Sequence, residues 1–273
     1  MRVLVSVDME GVAGVVDPQD ISPGNAEYER NRGYMTDEAS AAVRGVLAHD
    51  PAAEVVVCDA HAQFRNLIPD RLEQGCTLLR GSPRRLAMMT GIERGVDAVC
   101  FVGYHGRAGT PDSVLAHTIS GGVIANVRCD GRELGELGLN AALASFHGAV
   151  PVLATGDDTL AAEAASVVPG ITTVMVKRAV ANRAAEGLHP RESCRRIEAA
   201  AQAALAHPEV VHAPVFQGPV DLEVDVLRPS MTERALGIPG VERRAPLTLG
   251  FTAADFGAAY DLIEVFTVLA AAP

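Results

Sequence analysis

No apolar run in the sequence approaches the roughly 20 residues needed to cross a bilayer; stretches such as 55–58 and 98–102 stop after a few positions. A membrane partner is therefore not expected. Nor do Met1-Arg2, which lead directly into Val3-Leu4-Val5-Ser6-Val7, open a signal segment with a small-residue cleavage site, so the expected location is cytoplasmic. Cysteine is sparse and scattered: Cys58, Cys76, Cys100, Cys129 and Cys194 include no C-x-x-C pair, which argues against a disulfide framework or a zinc knuckle and for reduced core thiols. Positive charge is in deficit, with 23 basic against 34 acidic residues and a net charge of −11. That balance disfavours nucleic acid and anionic lipid as partners and favours metal cations. Aromatic residues make up only 4%, and no aromatic interface patch is visible in the last third of the chain. G-x-S-x-G, H-E-x-x-H and P-loop motifs are missing, and Gly103, Gly106 and Gly109 match no dinucleotide fingerprint.

What remains is a chain of 273 residues, 48% hydrophobic and 21% charged, which is globular composition. Its first two thirds repeat one pattern, in which a β-branched apolar run ends in a polar cluster and a helical stretch follows. The pattern predicts strands over 2–7, 54–58, 98–103, 123–129, 150–154 and 172–176. Helices are predicted over 36–49 with Thr36 as N-cap, from Ser82-Pro83 through Met89, and over 134–146, 159–167 and 190–206. From Val220 onward two alternating runs, 220–226 and 247–252, are followed by a helix over 253–269. The expected fold is α/β, a mostly parallel central sheet flanked by helices with a smaller C-terminal α+β lobe. Residues 1–190 would form the metal-binding catalytic domain and 191–273 the lobe.

Chemistry concentrates where the strands end. Asp8 and Glu10 are spaced i, i+2, so the strand period turns both to one side and Met9 to the other. Two such carboxylates at 4 Å repel by roughly 4 kcal/mol at an effective dielectric near 20, which calls for a cation between them. The second strand runs into Cys58-Asp59-Ala60-His61 and the third into Gly103-Tyr104-His105. In a parallel sheet the groups following different strands gather along one rim, so His61 and His105 are expected to meet Asp8 and Glu10 there. Glu136, at the start of an apolar helix, adds a third carboxylate, with Asn140 on the same face. Three carboxylates and two imidazoles suit zinc or manganese. Two divalent ions also neutralise the three carboxylates plus one hydroxide, an arrangement that activates water for hydrolysis. His117 lies beyond the cluster and has the chemistry for proton transfer or oxyanion stabilisation. The aspartates of Gly156-Asp157-Asp158 would lie at the same sheet edge but read rather as caps of the next helix, and Lys177 and Arg178 read as either carboxylate binders or a solvated basic pair.

The segments Ser6-Val7-Asp8-Met9-Glu10-Gly11, Asp59-Ala60-His61, Gly103-Tyr104-His105 and Gly135-Glu136-Leu137-Gly138-Leu139-Asn140-Ala141 resemble the zinc-dependent D-aminopeptidase family associated with bacterial dipeptide-transport operons. The likeness continues in the same order through Tyr28-Glu29-Arg30, Met35-Thr36, Gly156-Asp157-Asp158 and Val176-Lys177, and so spans at least residues 1–180. The resemblance implies a metallo-aminopeptidase with two zinc ions per subunit, which removes N-terminal D-amino acids such as D-alanine from short peptides. It also implies a ring-like homo-oligomer, with a decamer as the candidate size. Asp8 matches the bridging carboxylate, Glu10 and His61 the remaining ligands of one zinc, and His105 and Glu136 those of the other; His117 matches the family's catalytic histidine. Ala60 and Ala116, each preceding a key histidine, depart from serines expected in some relatives. Two alternatives keep the metals: a hydrolase of another amide or ester, and an inactive metal-dependent peptide-binding protein.

Overall fold

The computed structural model describes residues 1–271; positions 272 and 273 of the expected lobe lie outside the described residues. In chain order the elements are β1 (Arg2–Val7), α1 (Ala26–His49), β2 (Glu54–Asp59), β3 (Cys76–Leu79), β4 (Ala98–Val102), β5 (Ile124–Cys129), β6 (Arg132–Glu133), α2 (Glu136–Phe146) and β7 (Val150–Asp157). They continue with α3 (Asp158–Val167), β8 (Thr172–Ala181), β9 (Ala184–Gly187), α4 (Pro190–Ala204), β10 (Val220–Val226), α5 (Pro229–Ala235), β11 (Glu242–Ala245), β12 (Thr248–Ala253) and α6 (Phe256–Ala271). One sheet has the order β3-β2-β1-β4-β7-β8-β9, parallel except for the β8–β9 pair. The other, β11-β12-β10-β5-β6, is antiparallel.

The central strand β1 alternates between two cores, as a strand covered on both faces must. Val3, Val5 and Val7 join one core with α1 and α4, whereas Leu4 joins the other with α2, α6 and the second sheet. The parallel α/β sheet flanked by helices is thus the architecture the strand pattern predicts. In space the second sheet takes β5 and β6 from residues 124–133, and α4, on the far side of the division at residue 190, packs on α1.

Two helix starts differ from expectation. α1 begins ten residues before Thr36, capped by the Asn25 side chain, which accepts from the Tyr28 N–H at 3.0 Å. Its first turns are polar because they are largely solvated and linked by Glu27–Arg30 and Glu29–Arg32 ion pairs, so they carry no apolar stripe to read. Thr36 sits inside the helix and returns its hydroxyl to the Arg32 carbonyl at 2.8 Å. The segment after Ser82-Pro83 is not a helix. That peptide bond is cis, Leu86 and Ala87 have φ of 63° and 37°, and only a single 3₁₀ turn forms over Ala87–Met89. Backbone in the left-handed region cannot propagate a right-handed helix.

Candidate metal centre

β2, β1 and β4 are neighbours running in one direction, so the loops that follow them open on one rim of the sheet. Gly11 and Gly103 let two of those loops cross at backbone contact. The Gly11 N–H donates to the Gly103 carbonyl at 2.8 Å, and a Cβ on Gly11 would stand 1.8 Å from the Tyr104 carbonyl oxygen. Gly103 has φ +71°, and a Cβ there would meet the Asp8 carbonyl oxygen at 2.3 Å. The crossing draws Asp8 to His105.

Alternation past the end of β1 buries Met9 in the core and turns Asp8 and Glu10 to the rim. His61 Nδ1 lies 3.0 Å from Glu10 Oε2 and 3.3 Å from Asp8 Oδ1. His105 Nε2 lies 3.4 Å from Asp8 Oδ2 and 3.5 Å from Glu136 Oε1. Asp8, Glu10 and His61 therefore form one compact donor group, and Asp8, His105 and Glu136 a second, with Asp8 common to both. All five sequence-derived candidates come together and all five are buried. His117 joins them from the long loop between β4 and β5. Its ring stacks on that of His105 with centroids 4.2 Å apart, and its Nε2 is 3.6 Å from Glu136 Oε1 and 3.8 Å from Glu10 Oε1. Its side chain is 21% exposed, far more than the other five, and with Glu10 and His105 it makes a third possible donor group.

The three imidazoles are set in one manner. His61 Nε2 faces the Ile21 carbonyl at 3.1 Å, His105 Nδ1 the Gly106 carbonyl at 3.0 Å, and His117 Nδ1 the Leu115 carbonyl at 2.9 Å. A ring N–H held by a carbonyl directs the other nitrogen's lone pair at the carboxylates, as metal-ligating histidines require. His105 Nε2 is buried and has no hydrogen-bond partner. An orphaned imidazole nitrogen aimed between two carboxylates fits a divalent ion, and the mixed N/O donor set fits zinc.

Electrostatics point the same way. Burial and then Glu10 push the Asp8 carboxyl up from its ordinary value. Burial works against Glu10 as well, but the His61, His117 and His105 imidazoles outweigh it and hold Glu10 well below the usual range. Burial likewise opposes charge on His61 and His105, yet Glu10 and Glu136 respectively keep both well above the usual histidine range. Protons on the imidazoles supply the positive charge that metal ions would otherwise bring.

Several supporting residues have different roles from those read in sequence, or none was read. Lys177, the only lysine in the sequence, is neither a substrate binder nor solvated. Its buried ammonium donates to the carbonyls of Glu10 (2.5 Å), Val12 (3.0 Å) and Val15 (2.7 Å), pinning the loop that carries Glu10. Burial lowers its pKa to about 8. Arg178, its neighbour on β8, is exposed. Asp157 caps α3, accepting from the Leu160 N–H at 2.8 Å. Asp59 stays out of the cluster and shapes the His61 loop by accepting from the backbone N–H groups of Asn66 and Leu67. Glu38, raised by burial to about 7, accepts from the Ala13 N–H and the Ser193 hydroxyl. Behind the centre Ser6, Tyr104, Asn140 and Tyr260 form a buried polar chain with contacts of 2.7 to 2.9 Å. The motif segments include Ser6, Tyr104, Asn140 and Lys177 but do not show these roles, and Glu38 and Tyr260 carry no local signal for theirs.

The centre floors a cavity of about 750 Å³, whose apolar wall includes Phe64, Pro83, Met88, Ile119, Val265 and Val268. An apolar wall above a polar floor is the usual form of a small-ligand site. Among the described residues no helix is long and apolar enough to cross a membrane.

Comparison with known proteins identifies the family. The family model described as D-aminopeptidase, peptidase M55, matches residues 1–265. A D-aminopeptidase from Bacillus subtilis (strain 168) is 31% identical over 271 residues, covering 99% of this chain and 98% of the relative. A solved structure, the Zn-dependent D-aminopeptidase DppA from Bacillus subtilis, described as a self-compartmentalizing protease, superposes with a TM-score of 0.95 at 31% identity and covers 99% of this chain and 98% of its own. The chain belongs to the M55 D-aminopeptidase family and is a metallopeptidase of that family.

Proposed function

We propose that the chain is a zinc aminopeptidase that holds two ions per subunit, removes N-terminal D-amino acids such as D-alanine from short peptides, and works as a ring-like homo-oligomer. The observation that carries the two-ion reading is the sharing of Asp8 between two donor groups, one with Glu10 and His61, the other with His105 and Glu136. In this reading those five side chains would hold the metals, Asp8 being common to both donor groups. Zinc held there would supply Lewis acidity toward a carbonyl and toward water near neutral pH.

The chain's own residues do the rest. Carbonyl-anchored N–H groups keep His61 and His105 in one tautomer, and Lys177 fixes the backbone of the Glu10 loop. The apolar wall holds the peptide against the floor and keeps bulk water out. His117, stacked on His105 and open to the cavity, presents Nε2 where a proton can pass to the departing amide nitrogen or an oxyanion can be stabilised. Zinc and the D hand are supported by the family and by the Zn-dependent relative, and the oligomer by that relative's description as self-compartmentalizing.

The test is hydrolysis of paired D-alanyl and L-alanyl peptides by protein of measured metal content. Two zinc ions per chain and cleavage of the D peptides alone are expected, in a particle whose mass is a multiple of 28.5 kDa. Equal cleavage of both hands, or full activity with one ion, would refute the reading.

A further inference from the structure

α6 packs on α2, and Tyr260 fixes the contact by donating its buried hydroxyl to Asn140 Oδ1 at 2.7 Å. Asn140 lies one turn after Glu136 on α2, and Glu264 lies one turn after Tyr260 on α6. A residue four positions along a helix shares the same face. Glu264 therefore turns to the rim occupied by Glu136, and it lines the cavity over the metal centre with Val265 and Val268.

Among the described residues no cation is paired with it. Asp261, the other acid on α6, is paired with Arg85 at 2.8 Å. Arg84, which lines the same cavity, makes no ion pair with it; its guanidinium donates to the Asp59 and Ala87 carbonyls and lies over the Phe64 ring at 4.0 Å. Burial, Glu136 and Asp261 all raise the Glu264 pKa, to about 7, and no hydrogen bond or cation among the described residues offsets them. Glu264 also falls outside the three donor groups around Asp8 and Glu10. A carboxylate facing a ligand cavity with only like-charged neighbours is costly until a ligand brings positive charge or N–H donors to it.

We propose that Glu264 is a specificity-determining residue for the free amino end of the substrate, its carboxylate accepting hydrogen bonds from the peptide's N-terminal amine while Val265 and Val268 flank the adjoining chain. This rests on the aminopeptidase reading above and gives that reading a reason to require an unblocked N-terminus.

The test compares D-alaninamide with propionamide, which lacks only the amino group, as competitors of a D-alanyl peptide in the parent, Glu264→Gln and Glu264→Asp proteins. The parent's preference for D-alaninamide is expected to fall about tenfold in Glu264→Gln and to recover largely in Glu264→Asp. Zinc content should be unchanged and kcat within about threefold of the parent, so that the loss appears in KM. A residue that only packs α6 would lower thermal stability and weaken both amides alike. An unchanged preference in Glu264→Gln, or a fall that tracks zinc loss, would overturn the proposal. If the parent cleaves no free-amine peptide, the aminopeptidase reading fails and this inference with it; if it does and Glu264→Gln matches it, the inference alone fails.

Discussion

Replacing Lys177 with methionine keeps side-chain volume and removes the one charge that ties the Glu10 loop together. The Glu10 and Val15 carbonyls lose their donor, whereas the Val12 carbonyl keeps the Val15 N–H at 3.2 Å. Leaving each of those two buried and unsatisfied costs roughly 1–3 kcal/mol, about 4 kcal/mol for the pair. Against that stands the penalty the protein already carries for burying the ammonium. A pKa lowered from 10.5 to about 8 corresponds to about 3 kcal/mol at neutral pH. The difference predicts that Lys177→Met loses about 1 kcal/mol of stability at pH 7. Urea unfolding of chelator-treated protein measures this directly. The pH dependence provides an internal control. Because the folded pKa lies below the unfolded one, the unfolded state binds more protons between pH 8 and 10.5, so the parent gains stability as pH rises through that window and the variant does not. The functional consequence is local: with residues 10, 12 and 15 released, zinc affinity should fall about 10- to 100-fold, as when a ligand's supporting contacts are removed. Unchanged stability together with full zinc retention under chelator competition would show that the Glu10 and Val15 carbonyls find other partners and would refute the reasoning.

Other perturbations act on the centre itself. His61 and His105 are held above their ordinary pKa in the metal-free protein and must lose protons to bind metal, so zinc binding should release protons and weaken as pH falls. Titration calorimetry in buffers of different ionisation enthalpy reads that release, and no net release would contradict the assigned ligands. Glu136→Ala should lower zinc from two equivalents to one and abolish hydrolysis; two retained equivalents would exclude Glu136 as a ligand. His117→Ala should keep both ions while kcat drops by roughly 10²- to 10⁴-fold, the range for a lost proton-transfer group, whereas loss of an ion would make His117 a ligand, as its proximity to Glu10 and His105 allows.

Much of the site can be read in the chain because a parallel sheet converts order along the sequence into position along a rim. Asp8, Glu10, His61 and His105 each follow a strand whose β-branched composition is plain, and the strand period alone sets Met9 apart from its two acidic neighbours. Where local pattern was weak, the reading stopped short. The first turns of α1 are polar on nearly every side, so only the Asn25 cap marks their start. Ser82-Pro83 has the residues of a helix start, but Leu86 and Ala87 adopt left-handed backbone, and the segment lines the cavity instead through Pro83, Arg84, Ala87 and Met88. Glu264 is one of two acids in an otherwise apolar helix, and its significance depends on which helix lies opposite.

The amino-acid sequence by itself determined the strand and helix grammar, the parallel sheet and the five side chains gathered at its rim, since these follow from periodicities of two and 3.6 residues and from the direction of the strands. Only the tertiary structure decided how β5 and β6 join the C-terminal strands and why the sole lysine is buried. It alone showed which imidazole nitrogen faces the carboxylates and that Glu264 overlooks them. Those outcomes depend on contacts between residues far apart in the chain, where packing and the need to satisfy buried polar groups override any local preference.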